Sequence, residues 1–468
     1  MNQDKRQKKQ RPAGKPLPKL TLSIDRLDGD GLGVARHAGK NALVWNGLPG
    51  EKVDVAVEHE GRQRLICATR RVLEPSPERQ PPICRYFDSC RGCTLGSMSY
   101  PAQLDWKQKQ VRDALHAYPS LQEVVVPPVW GAQQPTGYRT SAKLVFAVSR
   151  GKLMLGLYRR GTHRVVDIHD CPLHHPLINR VIAVVRDEVE RQNISVYNPR
   201  TGRGLLRYLL VRVSPTYEKA LVTLVTTERD YRHCTHLAKW LKKKLPEVIG
   251  VHQNVNASSG NVIIGREFIK LIGARDLRDR VGDVTLHLAP GAFFQVNQQQ
   301  AERIYHQVTE WAAPLKDRWA LDVYCGIGGI ALNLAPRSAE VIGIESAPEA
   351  VASATANART NKLENCRFLS GDAAERLHQL ALELEPGGVA VVNPPRSGCA
   401  DEVLATLARL RPTRLVYVSC NPETLARDLV ILQEHGYRID SVQPVDMFPQ
   451  TGHIETIVRL LANTQKQR

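Results

Sequence analysis

No stretch of this 468-residue chain approaches the ~20 uninterrupted apolar residues that a membrane-spanning helix needs. Its basic N-terminus also lacks the apolar core of a secretory signal. The expectation is a soluble, cytoplasmic protein with no membrane partner. No internal repeat is found, which argues against a solenoid. Paired C-x2-C knuckles, the usual zinc pattern, are missing as well. The G-x-G-x-x-G fingerprint of a dinucleotide site is also missing, because Gly326, Gly328 and Gly329 are followed by Ile330 and Ala331. Acid is scarce relative to base: 47 Asp+Glu face 64 Lys+Arg, a net charge of +17. Seven Lys/Arg against one Asp fall in residues 1–20, but the excess persists in Arg159, Arg160, Arg164 and Lys242 to Lys244. A polyanionic partner, most simply nucleic acid, follows.

The chain is long enough for two or three domains. Residues 1–20 read as a disordered basic arm. Residues 21–75 hold about five short alternating or apolar runs broken by glycine, suiting an OB-like β-barrel or another small barrel. Pro75 to Pro82 reads as a linker. Residues 76–290 form a central α+β region, with a helix from Ala102 to Tyr118 presenting Leu104, Gln108, Val111 and Leu115 on one side. Further helices are expected from Ile178 to Gln192 and from His233 to Leu245. Tyr138, Arg139, Tyr158, Arg159, Arg207, Tyr208 and Arg212 recur on its strands, which suits base stacking and phosphate contact as well as an ordinary solvent face. Residues 291–468 alternate short apolar strands with helices, a doubly wound α/β domain.

Ten cysteines in a cytoplasmic chain do not read as a disulfide framework. Cys84, Cys90 and Cys93 are spaced C-x5-C-x2-C, and Cys171 stands apart in DIHDCPLHHP. Four thiolates can close one tetrahedral site, for zinc or for an iron–sulfur cluster, and the 3+1 spacing leans towards a cluster. His169, His174 and His175 are rival ligands.

The last domain carries the chemistry. LVYVSCNPETLARD reads as a buried strand ending at Ser419, with Asn421 as N-cap and Pro422 and Glu423 opening a helix. Cys420 then stands at the sheet edge where ligands bind. The helix end favours its thiolate by only about 0.3–1 kcal/mol, less than the roughly 1.4 kcal/mol of one pKa unit. A buried packing cysteine is an equal alternative on this stretch alone. In LDVYCGIGG the glycines allow close backbone approach. Glu345 ends the next strand, where a carboxylate can bond ribose hydroxyls, and Asp372 ends the one after, where an adenine would rest. This fits S-adenosylmethionine better than a dinucleotide. Asn393-Pro394-Pro395-Arg396 is a rigid polar tip that can present an amide to a base. Cys325, in the donor loop, is expected to pack rather than attack.

Together GDGLGVAR, the C-x5-C-x2-C with Cys171, FFQVNQQQAE, LDVYCGIGG, GIE, NPPRSG, VSCNPETLARDL and MFPQTGHIE resemble the RNA uracil-5-methyltransferase family. The layout is similar to the 23S ribosomal RNA members with a TRAM domain and an iron–sulfur cluster. The resemblance implies a class I S-adenosylmethionine-dependent methyltransferase fold at residues 291–468 and a TRAM domain at 21–75. It implies Cys420 as nucleophile and Glu455 as base. Gln295, Tyr324, Glu345, Asp372 and Asn393 would line the donor and base pocket, and Cys84, Cys90, Cys93 and Cys171 would hold a [4Fe-4S] cluster. It further implies that the helix after Cys93 packs on the catalytic domain, and that the partner of a monomeric enzyme is RNA. Most members carry Asp where this chain has Asn393; the amide keeps hydrogen-bonding capacity and loses charge, which leaves the target nucleotide open. Two rival readings remain: an exocyclic-amine methyltransferase using the Asn-Pro-Pro turn, and an inactive RNA-binding or assembly factor.

Overall fold

The computed structural model describes residues 19–260 and 262–463. Residues 1–18, most of the expected basic arm, lie outside them. Lys19 and Leu20 do not belong to an arm, because they open the first strand. Among the described residues no helix is long and apolar enough to cross a membrane. The described residues divide into two compact units, 19–82 with 93–99, and 83–92 with 100–463.

The first unit is a six-stranded sheet: Lys19–Ser23, Arg26–Leu27, Gly33–His37, Lys40–Trp45, Lys52–Glu60 and Arg64–Glu74, in the order first, fifth, sixth, fourth, third, second. Period-two burial of Val53, Val55 and Val57 faces a core with Leu22, Val44, Leu65 and Cys67. The expected linker is tied down. Arg79 forks onto the buried Glu51, with Nε 2.5 Å from Oε1, and onto Asn46, with Nη1 3.0 Å from Oδ1. A guanidinium matches a carboxylate with two parallel bonds, and this docks a Pro-rich stretch that composition alone reads as loose.

The second unit holds two large sheets and a two-stranded pair, Leu277–Val281 with Val284–Leu288. A seven-stranded central sheet runs in the order 267–273, 248–255, 219–226, 206–214, 141–149, 152–158, 165–167. Its neighbours are antiparallel except Lys219–Thr226 and Val248–Val255, which are parallel and joined through helix Tyr231–Lys244. That helix and Pro176–Arg191 bury Leu177, Val181, Val185, Leu237 and Leu241 against one face of the sheet.

The other sheet comprises β1 (Trp319–Val323), β2 (Glu340–Glu345), β3 (Cys366–Ser370), β4 (Val389–Val392), β5 (Arg414–Ser419), β6 (Tyr437–Val445) and β7 (Glu455–Ala462). The order is β3-β2-β1-β4-β5-β7-β6, parallel through β5, with β7 antiparallel to both neighbours. Strands β1, β4 and β5 are apolar runs buried on both faces, as a helix-covered parallel sheet requires. The strand order reverses at β1 and β4, so a crevice opens at their C-terminal ends.

Helix Tyr100–His116 precedes this domain by two hundred residues yet packs on it, with Val111 and Leu115 in one core with Leu425, Leu429 and Leu432. Its buried stripe is Gln103, Lys107, Val111 and Leu115. The expected Leu104 and Gln108 are half-buried one position away, because polar residues with buried partners take the inner face.

Candidate active site

The turn after β5 is built as its sequence dictates. Ser419 Oγ accepts from Asn421 N at 3.1 Å, and Asn421 Oδ1 accepts from Glu423 N at 3.1 Å. Pro422 opens helix Pro422–Glu434. A serine turn and an N-cap satisfy the first free amides and leave Cys420 half-buried at the strand's end. Two bonds fasten the β4 tip to this turn: Asn421 Nδ2 and Thr424 Oγ1 donate to Arg396 O at 3.1 and 3.2 Å. Deeper, the buried Asp428 accepts from Tyr417 Oη at 2.6 Å and Cys399 N at 2.8 Å.

Strand register brings in the carboxylate. Ser419 pairs with Thr456 across the antiparallel β5–β7 ladder. Continuing that register one residue further sets Cys420 against Glu455. Glu455 is 5% exposed. Burial pushes its pKa up to about 8, against the opposing pull of Arg396. The Cys420 thiol is also raised, first by burial and then by the charge of Glu455, while Arg396 and a backbone amide lower it. Desolvation is therefore the largest influence on this sulfur. Arg396 reaches His453, with Nη2 3.3 Å from Nδ1. The constellation is a thiol, a carboxyl that titrates near neutrality and a single guanidinium felt by both. It is suited to covalent addition followed by proton removal.

Tyr324, Glu345, Asp372 and Asn393 follow or end β1, β2, β3 and β4 in turn, in a row along the crevice. Tyr324, Gly326 and Gly328 have φ of 68°, 55° and 87°. At Gly328 a Cβ would approach Ala354 and Phe368 to 3.3 Å, whereas at Gly326 it would meet no protein atom within 4 Å. Glu345 Oε2 accepts from Gly326 N at 3.1 Å and Oε1 from Ala347 N at 2.9 Å, holding the carboxylate at the loop. Asp372 is exposed and caps helix Ala373–Glu383 through Ala374 N at 2.9 Å. Asn393 N donates to Val323 O at 3.2 Å, locking the β4 tip to β1. Gln295 comes from outside the sheet and is half-buried in the segment leading to Asn297, the N-cap of helix Gln298–Ala312. Cys325 is buried, its thiol well above the ordinary range. A Cβ on Gly343 would lie 2.8 Å from its sulfur, so it packs as expected.

Cys84, Cys90 and Cys171 share the second unit, and Cys93 belongs to the first. Cys171 feels the charge of Cys84, and Cys90 feels both. Backbone amides turn towards these sulfurs, from Tyr86, Gly92, and Leu173 with His174. That donor chemistry suits a thiolate-bound group. Among the described residues no three His, Cys, Asp or Glu are grouped closely enough to hold a metal ion as they stand. His174, the rival ligand, is buried and held at about 4 by desolvation and Arg139.

A family model described as tRNA (uracil-5-)-methyltransferase matches residues 99–463. The chain belongs to this family. An uncharacterized RNA methyltransferase of Geobacter sulfurreducens is 44% identical over 451 residues, covering 96% of this chain and 91% of that protein. Another from Halalkalibacterium halodurans is 36% identical over 441 residues, covering 94% and 96%. Among solved structures, the Pyrococcus abyssi tRNA (uracil-54, C5)-methyltransferase in complex with S-adenosyl-L-homocysteine superposes with a TM-score of 0.75 at 28% identity. It covers 94% of this chain and 100% of its own. The α/β sheet at residues 319–462 accordingly has the S-adenosylmethionine-dependent methyltransferase fold.

Within this uracil-5-methyltransferase fold, sequence reasoning missed three residues. Asp322 is fully buried with a pKa raised to about 7 by burial and by Glu345, and it accepts from Ala331 N at 2.8 Å. Its signal was a carboxylate inside an apolar strand. Arg396 stood in the quoted NPPRSG, but no local pattern shows that it faces both Cys420 and Glu455. Lys107 is fully buried against Asp446, a partner no local pattern announces. Several of the expected RNA-facing residues turn inward. Tyr138, Arg207 and Tyr208 are buried, with Tyr138 Oη on Pro449 O at 3.0 Å and Arg207 stacked 4.7 Å from the Tyr197 ring.

Proposed function

We propose that this protein methylates carbon 5 of a uridine in RNA, through a transient bond from Cys420 to carbon 6. The observation that carries the reading is the β5–β7 register, Ser419 opposite Thr456, with the charge of Glu455 felt at Cys420. Carbon 5 of uracil is a poor nucleophile. When the Cys420 thiolate bonds to carbon 6, the ring's C5=C6 electrons pass into an enolate, and carbon 5 becomes nucleophilic. S-adenosylmethionine, when bound, supplies an electrophilic methyl. Gly326, with open space above it, together with Glu345, Asp372, Tyr324, Gln295 and Asn393, is the set we assign to holding it and the base. After carbon 5 has gained the methyl, Glu455 takes the proton from carbon 5. The C5=C6 bond reforms and the Cys420 thiolate leaves. The uridine must be splayed from the RNA to reach this site.

The RNA reading draws support from the exposed Lys242, Lys243 and Lys244 and from Tyr158, Arg160 and Arg164. Our preferred target is 23S ribosomal RNA. The grounds are the TRAM-like strands of residues 21–75 and the four cysteines, which resemble ribosomal members. We also propose that Cys84, Cys90 and Cys171, with Cys93 added from the sequence pattern, hold a [4Fe-4S] cluster; when bound it would tie the Cys84–Cys90 turn to the Cys171 loop. A transfer-RNA target is the second reading, favoured by the solved tRNA enzyme that spans 94% of this chain.

The test combines two measurements. RNA with 5-fluorouracil at the target should form a stable adduct, because fluorine does not leave as a proton does, and Cys420→Ala should form none. Mass mapping of 5-methyluridine in ribosomal and transfer RNA, with and without the protein, then names the target. A methyl on an exocyclic nitrogen, or binding without methyl transfer, would return the reading to one of its rivals.

A further inference from the structure

Residues 446–454, between β6 and β7, lead directly into Glu455. This loop is gripped from several sides by buried polar groups. Lys107 Nζ lies 2.5 Å from Asp446 Oδ1 and 3.1 Å from Phe448 O, and the Lys107 and Asp446 side chains are both 0% exposed. Tyr100 Oη donates to the other oxygen, Asp446 Oδ2, at 2.9 Å. Gln103 and Gln450 bond reciprocally: Gln103 Nε2 donates to Gln450 Oε1 at 3.1 Å, and Gln450 N donates to Gln103 Oε1 at 3.0 Å. Gln450 has φ 70°, a conformation that a non-glycine residue keeps only when its surroundings enforce it. From the opposite side Gln300 Nε2 reaches Asp446 O at 3.0 Å and Asn297 Nδ2 reaches Met447 O at 3.2 Å.

A buried ion pair is a poor source of net stability, since well-packed apolar residues of like volume do as well or better. What such a pair supplies is direction. Lys107 accommodates only a loop that turns Asp446 Oδ1 and Phe448 O towards it. We infer that Lys107 is a positioning residue for Glu455, setting the carboxylate for the step that removes the carbon 5 proton; this rests on the base role proposed above. Helix Tyr100–His116 is then part of the base's mounting, remote from it in sequence. Loosening the mount leaves the addition of Cys420 to carbon 6 and the gain of the methyl intact. It slows proton removal, so the S–C6 bond persists and a methylated protein–RNA adduct accumulates on ordinary, fluorine-free RNA.

The experiment uses the full chain, unmodified RNA and S-adenosylmethionine with a labelled methyl, read as a labelled protein–RNA band on a denaturing gel and as single-turnover release of methylated RNA. Glu455→Gln is the reference and should trap the band. Lys107→Met should trap it too, with release slowed by about 100-fold, the scale of a misplacement near 1 Å. Its adduct formation on 5-fluorouracil RNA, which needs no base, should stay near the wild-type rate. Tyr100→Phe, which removes a single hydroxyl, should slow release by a few fold, and it decides the matter if Lys107→Met does not fold. A folded Lys107→Met that releases product at the wild-type rate overturns the inference. So does one that slows the fluorouracil adduct as much as release, because the role is then general support. If Glu455→Gln traps no band, the base assignment itself fails, whatever the lysine variant does.

Discussion

The sharpest consequence of the Glu455 site is a rate that climbs with pH. The carboxyl titrates at about 8, so it is mostly protonated in neutral solution. Roughly a tenth is ionised at pH 7 and roughly nine tenths at pH 9. A base works only when ionised, so release of methylated RNA should rise at least about tenfold between these values. The Cys420 thiol is raised as well, so its ionisation steepens the same limb. The assay is release of methyl-labelled RNA at saturating RNA and constant ionic strength, because RNA affinity varies steeply with salt. A second arm separates the two groups. Formation of the 5-fluorouracil adduct needs the thiolate and not the base, and the charge of Glu455 opposes that thiolate. Its midpoint should therefore move to lower pH in Glu455→Gln. A flat rate from pH 7 to 9, or a variant midpoint at or above that of the wild type, would refute the reasoning.

Three further outcomes follow from the structure. Glu455 holds its proton up to about 8 when folded, against an ordinary 4.5. The folded chain thus binds the proton more tightly, and the stability this contributes is full below 4.5 and lost as pH rises towards 8. Glu455→Gln should melt above the wild type at pH 8–9, by about 2–5 kcal/mol, with the gap closing near pH 4.5; a gap independent of pH contradicts the assignment. Gly326→Ala bears the left-handed penalty of ~1–2 kcal/mol without a clash. Calorimetry should show donor binding weakened at least about tenfold with a modest loss of melting temperature. Gly328→Ala should lose more, because packing against Ala354 and Phe368 adds about 1–3 kcal/mol; normal donor binding by Gly326→Ala would remove that loop from the donor site. Protein purified without oxygen should be brown and contain iron that Cys171→Ser diminishes, while colourless, zinc-loaded protein would assign the cysteines to the other metal.

The strand, turn and helix around Cys420 were legible because every determinant is local: the apolar run, Asn421 as cap, Pro422 at the first helical position and Glu423 in the first turn. The row of Tyr324, Glu345, Asp372 and Asn393 was legible for a similar reason, these residues standing where consecutive strands end. The helix at 100–116 was found nearly in place, but its inner face was misjudged by one residue. Apolar periodicity does not register a lysine whose counterion lies 339 positions away. The inward turn of Arg207 and Tyr208 escaped notice because alternation along a strand does not say which face another element covers. The pairing of Glu455 with Cys420 was legible only through resemblance. Nothing in either segment alone shows that β7 enters the sheet between β5 and β6.

That insertion has a consequence for synthesis. The sulfur-bearing turn emerges from the ribosome well before the strand that must slot between two already translated neighbours. Until β7 is threaded home the sheet lacks its inner rung and Cys420 lacks the carboxyl of Glu455. The ladders joining β5 to β7 and β7 to β6 therefore wait on residues 455–462, and the sheet is continuous only when that strand is in place.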